Sequence, residues 1–150
     1  MRIVALLLLC PIFIFGCSCV QVSQTAAFRN AKAVFDGEVK DVHYFDSPDK
    51  PGGGVRVLVT FDVSRQWKGA VRSTVQVHAW ERALMCDSYL FKVGERYILY
   101  AVEQDKENGW ADKYPSGTRI LAIGDCILRV RTGDDLAGEL DKLGHGNRPN

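Results

Sequence analysis

Hydrophobic and polar residues alternate along several short stretches of the chain, the pattern of β-strands with one buried face. These stretches are rich in β-branched and aromatic residues and are bounded by glycine, proline and aspartate, which favours the same assignment. They span residues 31–39, 55–63, 74–79, 96–102 and 117–122. In the second stretch, one face is predicted to be buried and consists of Val57, Val59, Phe61 and Val63. Arg56 lies on the opposite face, where a change to Asp is predicted to be tolerated.

The segments between the alternating stretches are polar or rich in turn-forming residues. Residues 46–54, Asp-Ser-Pro-Asp-Lys-Pro-Gly-Gly-Gly, predict a long exposed loop, and Trp67-Lys68-Gly69 predicts a turn. From Asp134 to Leu143 the leucines recur at helical spacing, which predicts a helix. Five or six short strands with a helix near each end favour a mainly β fold, a small Greek-key barrel.

The beginning of the chain predicts a secretory signal peptide. An apolar run from Ile3 to Phe15 follows a single basic residue, Arg2. A helix that spans a membrane needs about 20 apolar residues, more than this run provides. We expect cleavage after Gly16, which gives three regions: a signal peptide (1–16), a barrel domain (17–133) and a helix with a tail (134–150). The protein is then secreted, periplasmic or extracellular.

The charge of the chain is balanced, with a formal net charge of +1. Such a chain has no electrostatic attraction to nucleic acid or to an anionic membrane, so neither is expected as a partner.

Four of the five cysteines lie after the predicted cleavage point, since Cys10 belongs to the leader. They are Cys17, Cys19, Cys86 and Cys126. An even number in an exported protein predicts two disulfide bonds. A bond between Cys17 and Cys19 would close a one-residue loop and strain the bridge. Each is therefore expected to pair with one of the two distant cysteines.

Short motifs along the chain occur in a characteristic order. They are Cys17-Ser18-Cys19, Ala27-Phe28-Arg29-Asn30-Ala31, Phe35-Asp36-Gly37-Glu38-Val39, Trp67-Lys68-Gly69, Cys86, Tyr97-Ile98-Leu99-Tyr100-Ala101 and Cys126. Their order and rough spacing resemble the inhibitory N-terminal domain of the tissue inhibitors of metalloproteinases. That domain is a netrin-like OB-fold, so the resemblance implies a five- or six-stranded Greek-key OB-fold barrel with short flanking helices.

The resemblance also implies roles for individual residues. The disulfide bonds would be Cys17–Cys86 and Cys19–Cys126. The amine and carbonyl of Cys17 would chelate the catalytic zinc of a target protease, and Ser18 would enter the protease's specificity pocket. Leu84 and Met85 would pack beside this contact. The expected function is inhibition of zinc metalloendopeptidases, with no enzymatic activity, no cofactor and no metal of its own, by a monomeric protein.

Two departures from the family pattern suggest a minimal single-domain relative. Arg29 stands where animal members carry another cysteine, whose partner is missing as well. The protein is also expected to lack the second, cysteine-rich domain of those inhibitors.

A second interpretation makes Cys17 the site of a lipid anchor. Ile14-Phe15-Gly16-Cys17 resembles a bacterial lipoprotein cleavage box. Acylation would consume the thiol and amine of Cys17, prevent chelation and attach the chain to a membrane. It would also leave an odd number of cysteines, which favours the disulfide. In this alternative, the protein is a non-inhibitory binding module of the cell envelope.

Other residues suggest no further chemistry. His43, His78 and His145 lack the short spacing of metal ligands. The tryptophans could line a binding face, but Trp67 is expected in the core, and Trp80 and Trp110 are expected to be exposed near polar loops.

Overall fold

The fold is mainly β, as a computed structural model of the chain shows. The structure describes residues 22–46, 54–69, 72–81, 91–105, 110, 112–115, 117–123, 129–131 and 134–149. Its elements are α1 (Gln24–Asn30), β1 (Ala33–Tyr44), β2 (Val55–Lys68), β3 (Thr74–Glu81), β4 (Arg96–Asp105), β5 (Arg119–Ala122), β6 (Arg129–Arg131) and α2 (Asp134–Leu143). The predicted helix at 134–143 and the strands within the alternating stretches are confirmed.

Five of these strands form a closed sheet. Their order is β1-β2-β3-β5-β4, and β4 pairs with β1 to complete the ring. All neighbours are antiparallel except β3 and β5, which pair in parallel between His78 and Ala122. The short strand β6 pairs with Tyr97–Leu99 of β4, on the same edge of β4 that β5 occupies at Val102–Asp105, because β1 pairs along the other edge. The β3–β5 contact is a single bridge, and it closes the ring of five strands around the main core.

The interior of the ring holds the main core, and the alternation along β2 explains why. Val57, Val59 and Phe61 have no exposed surface, and Val63 is 7% exposed, which confirms the predicted buried face. Phe61 packs edge-on against Phe35 with 5.7 Å between ring centroids. Burial of each such side chain contributes about 1.5–3 kcal/mol to folding.

A second apolar cluster lies on the outer surface of β1 and β4, where the two helices cover the sheet. Its buried members are Ala27, Ala31, Val34, Ile98 and Tyr100, and its partly buried members are Val22, Phe28, Trp67, Leu140 and Leu143. Strand β4 therefore carries apolar residues on both faces, because its inner face lines the ring and its outer face supports the helices.

The predicted turn at 67–69 starts later than the sequence indicates. Strand β2 continues through Lys68, because Lys68 still pairs with Val34 of β1. The turn follows at Gly69, which has a φ of 78°. A side chain there would place its Cβ 2.7 Å from the carbonyl oxygen of Lys32, so glycine is required both by the backbone angle and by the close approach.

Candidate functional site

The residues predicted to contact a protease and to form disulfide bonds lie outside the described part of the structure. They are Cys17, Ser18, Cys19, Leu84, Met85, Cys86 and Cys126. What the structure describes is the set of elements from which these segments extend.

Two of these segments start from neighbouring strands. Leu84 comes three residues after Glu81, the last residue of β3, and Cys126 comes three residues after Ile123, which follows β5. The two strands run in parallel, and the Ile123 amide donates to the His78 carbonyl at 2.9 Å. Parallel strands end at the same edge of a sheet, so both segments leave from one edge.

The segment with Cys17 and Cys19 leads into α1, which is fixed to the next strand of the ring. Ser23 caps the helix by accepting a hydrogen bond from the Ala26 amide at 3.3 Å. At the other end, the Lys32 amide donates to the Ala101 carbonyl of β4 at 2.8 Å. The neighbouring residue, Val102, pairs with Ala122 of β5. The segments with Leu84 and Cys126 thus follow the adjacent strands β3 and β5, and the segment with Cys17 and Cys19 leads into a helix whose far end is bonded to β4, the next strand.

Trp110 is the centre of an aromatic cluster that the sequence does not predict. The prediction that it is exposed is wrong, since only 1% of its surface is accessible. Its ring centroid lies 4.7 Å from that of His78, 5.6 Å from Phe45 and 5.9 Å from Trp80. The residue is buried because it covers the outer face of β3 together with these neighbours. Trp80, also expected to be exposed, is half-buried, and Trp67, expected in the core, is only partly buried.

Arg56 joins this aromatic cluster to two carboxylates. Its Nε and Nη2 donate to Asp46 at 2.8 and 2.9 Å, and its Nη1 donates to Asp112 at 2.5 Å. Its guanidinium also lies 5.8 Å from the Trp110 ring centroid. The hydrogen bonds from Arg56 lower the pKa of Asp112 and, in turn, the two carboxylates raise the pKa of Arg56. The predicted tolerance of Arg56 to Asp is therefore inconsistent with its position, because Asp would face two other carboxylates.

His78 is buried beside Trp110 and is held as a neutral imidazole. Its Nδ1 lies 3.1 Å from the Leu121 carbonyl oxygen, and its Nε2 lies 2.6 Å from the Tyr114 hydroxyl. A carbonyl only accepts, so Nδ1 carries the proton and Nε2 accepts from Tyr114. Burial lowers the pKa of His78 below its ordinary value. Its two hydrogen bonds connect β3, β5 and the segment 112–115, which gives it a structural role.

A second polar group lies where β1, β2 and β4 meet. Asp36 is fully buried and accepts from Arg96 Nε at 2.7 Å and from the Ser64 hydroxyl at 3.2 Å. This pairing raises the pKa of Arg96. A cleft of 360 Å³ above it is lined by Glu38, Asp62, Val63, Ser64 and Arg96. The guanidinium is already engaged by Asp36, so the group stabilises the contact between the strands rather than forming a binding centre.

One signal in the sequence could have revealed part of the Trp110 cluster. Asp46 is the first residue of the predicted loop between β1 and β2, and Arg56 is the second residue after it. Opposite charges at the base of a hairpin face each other across the strands. Trp110 itself lies in a polar segment without periodicity, which gives no indication of burial.

Within the described residues, no group of three or more His, Cys, Asp or Glu side chains could hold a metal ion. No helix among them is long and apolar enough to cross a membrane. No model of a protein family matches the chain, and a search of curated proteins finds no match.

Proposed function

We propose that the protein is a secreted inhibitor of zinc metalloendopeptidases that uses its N-terminal cysteine, Cys17, as the ligand of the target's zinc. The observation that carries this proposal is Cys17-Ser18-Cys19 directly after an apolar leader. Cleavage after Gly16 would leave an α-amine, a carbonyl and a disulfide sulfur on the same residue.

The chemistry of the α-amine supports this role. Its ordinary pKa is about 8, low enough for a metal to displace its proton at neutral pH. Amine and carbonyl of one residue close a five-membered ring on the metal. The catalytic zinc of a protease keeps an open position and can accept a fifth ligand.

The architecture of the sheet supports the OB-fold part of the proposal. Five strands in the order β1-β2-β3-β5-β4, closed by β1 and β4, agree with a five-stranded Greek-key barrel. We propose that this closed sheet is the netrin-like version of the OB-fold.

The shared edge of β3 and β5 supports the proposed disulfide bonds. The segments that contain Cys86 and Cys126 extend from this edge, and α1 is fixed to β4, the next strand. Bonds Cys17–Cys86 and Cys19–Cys126 would hold the first residues of the mature chain against a rigid support. A ligand that is rigid before binding loses less conformational entropy in the complex.

A lipid-anchored binding module is the second candidate, favoured by the sequence Ile14-Phe15-Gly16-Cys17. The two candidates differ in the covalent state of Cys17, since an acylated amine cannot chelate zinc. The intact mass of the exported protein distinguishes them. A mass equal to that of residues 17–150 with two disulfide bonds supports the inhibitor, and an added diacylglycerol and acyl chain supports the anchor.

The decisive test of the inhibitor is an extension by one residue. Protein that starts at Cys17 and protein with one added Ala are titrated against a panel of zinc endopeptidases. The added residue moves the amine by about 3.3–3.6 Å of chain, so inhibition should be lost while the fold persists. Equal inhibition by both forms, or none by either, would contradict the zinc-chelating mechanism.

A further inference from the structure

The last residues of β2 hold the segment that follows α2. The Gln66 amide donates to the Asn147 carbonyl at 2.8 Å, and the Asn147 amide donates back at 2.7 Å. Trp67 Nε1 donates to the Gly144 carbonyl at 3.0 Å. A side chain at Gly146 would place its Cβ 2.8 Å from Trp67 Nε1, so glycine lets the segment lie directly on the indole.

The next residue of β2 holds the end of α1. Lys68 Nζ donates to the carbonyls of Phe28 and Arg29 at 2.7 and 2.8 Å. The last carbonyls of a helix lack partners within the helix, and a cation at this end also interacts favourably with the helix dipole. Three consecutive residues of one strand thus contact both α1 and the segment after α2.

Tyr100 of β4 forms a second link between the two helices. Its hydroxyl donates to Glu139 of α2, which is 7% exposed, and accepts from Gln24 of α1 at 3.3 Å. Burial, followed by the hydrogen bond to Glu139, raises the pKa of Tyr100, so the hydroxyl keeps its proton. Leu140 and Leu143 of α2 pack against the same apolar cluster as α1.

We propose that α2 and residues 144–148 form a strap that positions α1 and, through it, the inhibitory N-terminus. Cys19 lies five residues before Gln24, a distance of chain that spans at most about 18 Å. A shift of α1 would therefore change the point from which this short connection reaches Cys19, and with it the orientation of the residues that contact the protease. Tyr100 is a positioning residue in this arrangement, because it acts through α1 and not on the zinc. This inference rests on the proposed function for its effect on inhibition.

The test compares three variants with native protein that starts at Cys17. The first is Tyr100→Phe, which removes the hydroxyl and keeps the ring. The second removes residues 144–150 and with them the bonds to Gln66 and Trp67. The control is Val93→Ser, a change at a side chain that is 65% exposed. Amide hydrogen exchange is measured in α1 and in the ring strands β2 and β3, and inhibition is measured on the same samples.

If the strap holds α1, amide exchange in both variants should be faster in α1 and unchanged in β2 and β3. Each of the two variants removes at least two hydrogen bonds, so exchange in α1 should accelerate by about fivefold or more. Inhibition should weaken by about the factor that each variant shows in exchange, while the control stays native in both measurements. A general loss of stability would accelerate exchange in β2 and β3 as well, so a change confined to α1 reports on the strap.

Two outcomes would overturn the inference. Unchanged exchange in α1 would show that the strap does not hold the helix, and faster exchange with unchanged inhibition would show that α1 does not position the N-terminus. If native protein inhibits no protease, the proposed function is wrong, and the exchange data alone then decide whether the strap holds α1.

Discussion

Asp46 and Arg56 face each other across the base of the hairpin that joins β1 to β2. The guanidinium donates to both carboxylate oxygens, and the Arg56 amide donates to Asp46 Oδ2 at 3.1 Å. Both side chains are mostly covered, with 14% and 16% of their surface exposed. This pair closes the hairpin. Arg56 also contacts Trp110 and Asp112, so this one residue connects the two strands of the hairpin with a third, distant part of the chain.

Replacement of Arg56 by Met should destabilise the protein by about 2 kcal/mol, because Asp46 would keep its charge in a mostly buried position without this partner. Urea unfolding monitored by tryptophan fluorescence measures the effect. Arg72→Met is the matched control, since Arg72 is exposed, and should change the free energy of unfolding by less than about 0.5 kcal/mol. Equal effects of both substitutions would show that the bridge contributes no stability.

Acidification should lower the stability of the folded protein, because His78 is buried as a neutral imidazole. Its pKa in the folded chain is lowered from the ordinary value of 6.5, so between these two values the unfolded chain binds more protons at this position. Stability is therefore fully present above pH 6.5 and decreases as the pH falls towards the lower pKa.

Two measurements check this prediction. An NMR titration should show the His78 imidazole titrating below 6.5. Urea unfolding at about pH 7.5 and about pH 5 should show a smaller loss of stability in His78→Gln than in the native protein. His145→Gln, at an exposed position, controls for the substitution itself. A His78 pKa above the ordinary value would contradict the neutral assignment.

Neighbouring residues of β3 test the two faces of the closed sheet. Val77 has no exposed surface, whereas Gln76 lies on the opposite face and is exposed. Val77→Asp would bury a charge without a partner and should prevent folding, while Gln76→Asp should leave a native circular dichroism spectrum. Similar tolerance of both changes would contradict the assignment of Val77 to the buried face of β3 and of Gln76 to the exposed face.

The alternation of Val57, Val59, Phe61 and Val63 correctly predicts the buried face of β2, because a period of two identifies that face wherever one side of a strand is covered. The same rule does not reveal the Trp110 cluster. Trp110 is buried by contacts with His78 and Phe45, which are distant in sequence, and its own segment has no periodicity. Strand β6 has only three residues, too few for a pattern. The proposed inhibitory residues rest on the sequence, since they lie outside the described part of the structure.

The proposed disulfide bonds predict a specific pattern of cross-linked peptides. Mapping under non-reducing conditions should give Cys17 joined to Cys86 and Cys19 joined to Cys126. Replacement of Cys19 and Cys126 together by Ala should lower the free energy of unfolding by about 2–5 kcal/mol, because the reduced chain gains conformational freedom when unfolded. Cys17 joined to Cys126, or a free thiol among the four residues, would contradict this pairing.

The side chain of Ser18 should determine which proteases are inhibited, if Cys17 lies on the zinc. The residue after the chelating one would enter the main specificity pocket, and a pocket discriminates between side chains by size and polarity. Ser18→Leu should therefore change the ratio of inhibition constants between proteases with small and large pockets by about tenfold or more. Gln76→Leu, an exposed position on β3, is the control and should leave that ratio unchanged. A Ser18→Leu protein that inhibits every member of the panel as the native protein does would place Ser18 outside the pocket, even if the amine of Cys17 proves essential.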